Sequence, residues 1–249
     1  MLEISEIFGP TIQGEGKKVG TPSVFIRLGK CNMSCSGFNV AYQTPTGETK
    51  YSCDSYYSVD HSFKPHWMRF EKYEEILVEV EKLFLDYKPD IVITGGEPLI
   101  YWNNEQFQKL LEYFVTHDFN VTIESNGSIP IDFTLPYQKK ILFSLSVKLS
   151  NSGESLKKRV NIQALTTIIH QASAYLKFVM DKHFINKAQS EIQELLAQLP
   201  KVEVYMMPLG ETLDELNDNA MSVIQMAIQN NFNYSDRLHI RIWDNKRGV

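Results

Sequence analysis

Apolar positions along this chain switch repeatedly between two periods. Residues 23–28, 90–94, 120–124, 140–146, 175–179 and 202–206 are short runs rich in β-branched, aromatic and aliphatic side chains, and each predicts a strand. Between them lie helical patterns. Residues 73–87 place Ile76, Leu77, Val80, Leu83 and Phe84 on one face, and residues 104–116 place Phe107, Leu110, Leu111 and Phe114 inward. Residues 161–171, 186–199 and 213–229 predict three more helices, and residues 237–242 predict a closing strand. Strands alternating with helices imply βαβ units and a mostly parallel sheet, hence an α/β fold. About six such units predict a partial, TIM-like (β/α)6 barrel, with residues 1–249 as a single domain. Residues 37–72 break the pattern. Gly, Thr, Ser, Tyr and His occur there without sustained periodicity, which predicts a long inserted loop with a small hairpin at Thr46-Gly47.

Composition narrows the classes. The chain is 43% hydrophobic and 22% charged, ordinary for a globular protein, and carries a net charge of -5. No basic footprint suggests a nucleic-acid partner. No stretch of about 18 apolar residues suggests a membrane span. The opening Met1-Leu2-Glu3-Ile4 lacks the features of a signal peptide, so the expected location is the cytoplasm.

The three cysteines change the picture most. All lie between residues 31 and 53, and an odd, clustered set in a reducing compartment points to metal or catalysis rather than disulfides. Three thiolates on one loop suit a [4Fe–4S] cluster with one open iron. Zinc is the rival, with His61 or His66 as a fourth ligand, and spacing alone leaves both open. In a barrel of this kind, ligand sites gather where the strands end. The chemically suggestive residues sit there: Cys31 after the first strand, Gly95-Gly96-Glu97 after the second, and Glu124-Ser125-Asn126-Gly127 after the third. Ser146 and Lys148 end the fourth strand and Met207-Pro208 the sixth.

Cys31-Asn-Met-Ser-Cys35 resembles the start of the radical S-adenosylmethionine (SAM) Cys-x3-Cys-x2-Cys motif. Phe38 stands where the compact motif has its third cysteine, and Cys53-Asp54-Ser55 resembles the motif's end displaced by 15 residues. The opening Glu6-Ile7-Phe8-Gly9-Pro10-Thr11-Ile12-Gln13-Gly14-Glu15-Gly16 extends the likeness, because radical SAM proteins at large do not share it. The whole chain resembles the 7-carboxy-7-deazaguanine synthases, radical SAM enzymes of 7-deazapurine and queuosine biosynthesis.

That resemblance implies a site. The loop carrying Ile12, Gln13, Gly14 and Glu15 would grip the substrate, Arg27 would hold its carboxylate, and Thr94 would lie beside it. Gly95, Gly96 and Glu97 resemble the Gly-Gly-Glu-Pro motif that binds the SAM amino group. Ser125 and Asn126 belong to the Glu-Thr-Asn-Gly likeness. Ser146, Val147 and Lys148 stand where the family shows Ser-Pro-Lys, with the proline replaced here. Met207, Pro208, Leu209 and Gly210 match the segment along the SAM adenosine. Ser55 stands where the family carries a hydroxyl ligand to Mg²⁺, and the terminal carboxylate at Val249 would point into the pocket. His239 has no clear assignment beyond a core position or a substrate contact. The implied reaction converts 6-carboxy-5,6,7,8-tetrahydropterin to 7-carboxy-7-deazaguanine and ammonia. It would begin when a 5′-deoxyadenosyl radical takes a hydrogen atom from C6. An electron donor such as flavodoxin or ferredoxin and a homodimer are implied as well. A radical SAM activase of a protein partner, a zinc-bound non-catalytic module and an inactive relative are the other readings.

Overall fold

The computed structural model describes residues 1–246 and 248. The chain opens with a strand the hydropathy pattern did not single out, β1 (Leu2–Ile12), antiparallel to β2 (Pro22–Leu28). Leu2 and Ile4 are fully buried while Gly9-Pro10 interrupts the alternation, and the register shifts between Phe8 and Thr11. The inserted region is more ordered than expected. It holds the hairpin β3 (Val40–Gln43) and β4 (Thr49–Ser52), the short helix α1 (Tyr56–Val59), a 3-10 turn at His61–His66, and β5 (Met68–Phe70). The hairpin forms its own two-stranded sheet and turns at Thr46-Gly47, as predicted. Tyr42 stacks on Tyr56 with ring centroids 4.1 Å apart, and its hydroxyl donates to Asp60 at 2.7 Å. β5 returns to the main sheet as the partner of β1. Aromatic packing and one buried carboxylate, Glu3, paired with Lys30 at 2.6 Å and Lys64 at 3.0 Å, order this region where periodicity is absent.

From there the alternation holds. α2 (Tyr73–Glu81) precedes β6 (Asp90–Gly95), α3 (Glu105–Thr116) precedes β7 (Val121–Ser125), and β8 (Leu142–Leu145) follows. α4 (Leu156–Arg159) and α5 (Ile162–Gln171) lead to β9 (Ser173–Met180), α6 (Ile185–Leu196) to β10 (Glu203–Pro208), and α7 (Leu213–Asn230) to the two-residue β11 (Asn233–Tyr234). α3 shows how the code works locally. The Asn104 side-chain oxygen accepts from the Gln106 and Phe107 amides, and the predicted Phe107, Leu110, Leu111 and Phe114 are buried. α2 stops short of its predicted end, and Phe84 beyond it packs on Phe119 at 5.3 Å.

Among the described residues the sheet has nine strands in the order β11-β10-β9-β8-β7-β6-β2-β1-β5. β2 and β6 through β10 are mutually parallel, which supplies the six expected strands. The sheet is open rather than closed, with the antiparallel β1 and β5 at one edge. One expectation is overturned. Residues 237–242 alternate apolar and polar side chains like a strand, yet Leu238–Trp243 is a helix, α8. Ile240 is buried there and Ile242 is half exposed, so the alternation does not mark a single buried face. His239 accordingly lies on a helix.

Trp102, Phe133 and Phe143 form a mutual cluster with centroids 5.6–6.0 Å apart beneath β8. Phe143→Ala should therefore cost about 3–5 kcal/mol of stability by urea denaturation, since it combines lost burial with a cavity. A loss below about 1 kcal/mol would show that this cluster is not part of the rigid core.

Candidate active site

The parallel strands end around one cavity of about 440 Å³. Its most specific feature is the way the loop after β2 reaches it. The Gly96 amide donates to the Leu28 carbonyl at 3.0 Å and the Glu97 amide to the Lys30 carbonyl at 2.8 Å. A Cβ on Gly95 would sit 2.1 Å from the Leu28 oxygen, and one on Gly96 2.0 Å from the Lys30 oxygen. Gly95 also has φ +134, a conformation side chains rarely adopt. The glycine pair therefore lets the cysteine loop lie flat on the end of β6.

Cys31, Cys35 and Cys53 all line this cavity. The hairpin β3–β4 fills the 15-residue displacement. It leaves the loop after Cys35 and returns to it, and the Ser52 hydroxyl donates to the Ser34 carbonyl at 2.6 Å. Cys53 therefore sits beside its two companions. Burial raises all three thiols, Cys35 to about 12, so they stay protonated unless a metal takes the proton's place. The Met33 amide donates to the Cys31 sulfur at 3.4 Å, a contact that suits a ligating thiolate. Among the described residues no three His, Cys, Asp or Glu side chains gather closely enough for a single ion. His61 and His66 are exposed and do not line the cavity. Three soft donors lining one cavity, with neither proposed histidine ligand lining it, fit an iron–sulfur cluster better than the zinc site.

Two features hold the loop. The Asn32 side chain donates to Ser128 at 2.9 Å and accepts from Asn126 at 2.8 Å. Glu154, which the sequence reading did not single out, accepts from the Ser34 and Cys35 amides at 2.6 and 3.1 Å and pairs with Lys158 at 2.8 Å. Burial raises its carboxyl, but Lys158 and the two amides outweigh that and hold it at about 2. The depressed value means that its contribution is complete above the ordinary glutamate range, near pH 4.5, and is lost as the pH falls toward 2.

The residues expected at SAM divide into two groups. Ser125, Asn126, Ser146, Lys148, Met207 and Leu209 face the cavity with Gly95 and Gly96. Glu97, Val147, Pro208 and Gly210 do not line it and stand behind it. Glu97 is fully buried, and its carboxylate accepts from the Leu99 amide at 3.0 Å, the Ser125 hydroxyl at 2.7 Å and the Asn126 amide at 2.7 Å. It ties the end of β6 to the end of β7. Val147 is 2% exposed and packs in the core where the family motif has proline. Lys148 donates to Ser146 at 2.9 Å.

Ile12, Gln13, Gly14 and Glu15 line the same cavity, with Arg27, Thr94 and Ser55. The Gln13 amide nitrogen donates to Ser23 at 3.0 Å. A Cβ on Gly14 would lie 1.8 Å from His239 Nδ1, so this glycine admits the His239 ring. Burial lowers the His239 pKa, keeping the ring neutral near pH 7. Arg27 donates Nε to Glu6 at 3.0 Å and Nη1 to Ser55 at 3.3 Å, with its guanidinium over the rings of Phe8 and Tyr57. Glu15 is held by a cation at each oxygen, with lone pairs left to accept from a ligand. Lys177 holds one of its oxygens and Arg237 the other, and these cations overcome burial to keep its carboxyl well below the usual range. Lys177 also lies 3.8 Å from Glu124, whose other oxygen accepts from Thr94 at 2.8 Å. Burial alone would lower Lys177, but Glu15 and Glu124 raise it. Lys177, Arg237, Asp54 and Glu124 thus join the site without having been assigned a role. Asp54 and Glu124 lay inside motifs the sequence displays, and a lysine in the otherwise apolar run Tyr175-Leu-Lys-Phe-Val was a further signal, whereas nothing local marked Arg237. Val249 falls outside the described residues.

Glu154→Gln keeps the shape of this side chain but removes its charge, weakening its hold on the cysteine loop by roughly 1–3 kcal/mol. Iron should then leave the reconstituted protein faster when a chelator is added. An unchanged release rate would show that Glu154 does not hold the loop.

Comparison with known proteins agrees with this geometry. Residues 12–169 match the family described as a 4Fe-4S single cluster domain. A 7-carboxy-7-deazaguanine synthase from Rhodopirellula baltica is 32% identical, covering 100% of this chain and 89% of its own. One from Halobacterium salinarum is 28% identical, covering 98% and 91%. The fold is similar to the crystal structure of QueE from Escherichia coli, with a TM-score of 0.66 at 23% identity over 96% of this chain and 94% of that one. The cluster-domain match and the identity across the whole length place this chain in the 7-carboxy-7-deazaguanine synthase family of radical SAM enzymes.

Proposed function

We propose that this protein is a radical SAM lyase that converts 6-carboxy-5,6,7,8-tetrahydropterin to 7-carboxy-7-deazaguanine with loss of ammonia, in 7-deazapurine and queuosine biosynthesis. One observation carries the reading. The three cysteines and the loop of residues 12–15 line the same cavity, so a pterin gripped by that loop would share it with a cluster held by the cysteines and with SAM. When bound, the cluster and SAM supply the one-electron radical chemistry that these side chains cannot perform.

The chain's own residues bind, orient and shield. Arg27 presents a guanidinium to the substrate carboxylate while Glu6 holds its Nε. Glu15, kept ionised by Lys177 and Arg237, supplies an anionic acceptor for ring N–H groups. Gln13, Gly14 and Ile12 form the rest of that wall, and Thr94 is aimed by Glu124. The wall formed by Ser125, Asn126, Ser146, Lys148, Met207 and Leu209 receives SAM. Glu97, Val147, Pro208 and Gly210 hold that wall from behind. The Ser55 hydroxyl and the adjacent Asp54 carboxylate are hard oxygen donors that fit Mg²⁺, with substrate oxygens and water completing its shell. The chain acts as a single domain over residues 1–249, as a homodimer in the cytoplasm, with flavodoxin or ferredoxin as electron donor. No helix among the described residues is long and apolar enough to cross a membrane.

Anaerobically reconstituted protein should be brown. Given SAM, Mg²⁺, reductant and the carboxylated tetrahydropterin, it should release the deazaguanine acid and ammonia. Arg27→Ala should lower kcat/KM about 100-fold, the cost of removing one partner of a buried charge pair. Colourless protein, or brown protein that makes no deazaguanine acid, would refute the reading. Full turnover by Arg27→Ala would refute only the role of that residue.

A further inference from the structure

Residues 235–239, which lead into the helix α8 found where a strand was expected over 237–242, lie across the substrate loop and clasp it at four points. The Gly16 amide donates to the Ser235 hydroxyl at 2.7 Å. The Leu238 amide donates to the Gly14 carbonyl at 2.8 Å. The His239 ring occupies the space that a side chain at Gly14 would need. Between these contacts, Arg237 donates Nε to Glu15 at 2.9 Å. Its other two nitrogens go elsewhere: Nη1 to the Gly210 carbonyl, and Nη2 to Asp54 at 2.7 Å.

Those three acceptors belong to three different parts of the site. Glu15 is on the substrate loop, Gly210 ends the segment after β10, and Asp54 follows the third cysteine. A guanidinium is planar and its donors point in set directions, so one group bonded through all three nitrogens holds its acceptors in a common plane. The side chain is one-tenth exposed, so its bonds form with little competition from water. The Glu15 and Asp54 carboxylates, 16% and 42% exposed, repel each other unless a cation lies between them.

We propose that Arg237 is a positioning residue that shapes the substrate subsite, holding Glu15 and the Asp54 segment at the spacing the pterin requires. It acts through these groups rather than on the substrate, because its nitrogens are already directed at protein acceptors. The identity of the ligand rests on the function proposed above, whereas the clasp itself does not.

The test compares the reconstituted wild-type protein with Arg237→Gln and Arg237→Lys. Three quantities are measured: amide hydrogen exchange over residues 13–17, steady-state kinetics with the carboxylated pterin, and iron per chain. Arg237→Gln should speed exchange at the substrate loop at least about ten-fold and raise the KM for the pterin at least about ten-fold. Its kcat should change less than about three-fold, with iron content at the wild-type level. Arg237→Lys keeps the charge but not the three-way fork, and should fall between the two. Unchanged exchange and KM in Arg237→Gln would overturn the proposal. So would a joint fall of kcat, KM and iron in both variants, which would mark Arg237 as general scaffold. If the wild-type protein makes no deazaguanine acid while Arg237→Gln still loosens the loop, the proposed function fails and the positioning role stands.

Discussion

The carbonyls of Leu28 and Lys30 rest against the backbone of Gly95 and Gly96, and this contact leaves no room for a side chain. Everything else at the site is arranged around it. Because β2 pairs in parallel with β6, with Ile26 opposite Ile93, the chain leaves the sheet at a set height and turns at once over the neighbouring strand end. Lys30, with φ 76, makes the turn, and its side chain is held by the buried Glu3 carboxylate. Cys31 is the next residue. The cluster loop is thus positioned by main-chain packing, and the thiols need only point away from it. The Gly-Gly-Glu sequence therefore has a mechanical meaning in this chain as well as a ligand-binding one. The glycines allow the approach, and Glu97, buried below, bonds the β7 end to the same spot.

The second organising constraint is charge. The cavity wall carries Arg27, Lys148, Lys177 and Arg237 as well as Glu15, Asp54 and Glu124. Isolated ions in such a place would be neutralised or expelled. Most persist because they are matched: Glu15 by Lys177 and Arg237, Asp54 by Arg237, Glu124 by Lys177 and Arg27 by Glu6, while Lys148 has only the Ser146 hydroxyl and the Phe38 ring. A matched network of this kind is preorganised, so binding requires little reorganisation of the wall. It also explains why the substrate loop is glycine-rich. Gly14 and Gly16 let residues 235–239 and Tyr175 press close enough for the charged side chains to meet, with Tyr175 Oη only 2.2 Å from where a Gly16 Cβ would stand.

Strands and helices after residue 72 were legible because each buries one clean face. β6 is buried along nearly its whole length, and α3 shows both its cap and its stripe. The parts that escaped lacked such a face. β1 changes register at Gly9-Pro10, and residues 237–242 alternate like a strand while burying one side chain of the pattern. The same division runs through the site. Residues whose chemistry is local, the cysteines and the glycine pair, were visible as motifs. Lys177, Arg237 and Glu154 were not, because their meaning lies in partners 119 to 222 positions away along the chain. Only folding brings a carboxylate at residue 15 to a guanidinium at residue 237.

The displaced third cysteine follows from the same logic. A compact Cys-x2-Cys places its two ligands by local geometry, whereas here 17 residues separate Cys35 from Cys53. Left as a flexible loop, that length would hold Cys53 only loosely. The hairpin removes the difficulty because Val40 pairs with Ser52, so the separation of its ends does not depend on how far β3 and β4 extend before turning. Ser52 then bonds back to Ser34, one residue before Cys35. Closing a longer loop costs little additional entropy once its stem is paired, about 0.6 kcal/mol per doubling even when it is unstructured. The spacing between the second and third ligands can therefore grow without moving either sulfur. What must be preserved is the pairing at the base of the hairpin and the seryl contact beneath it.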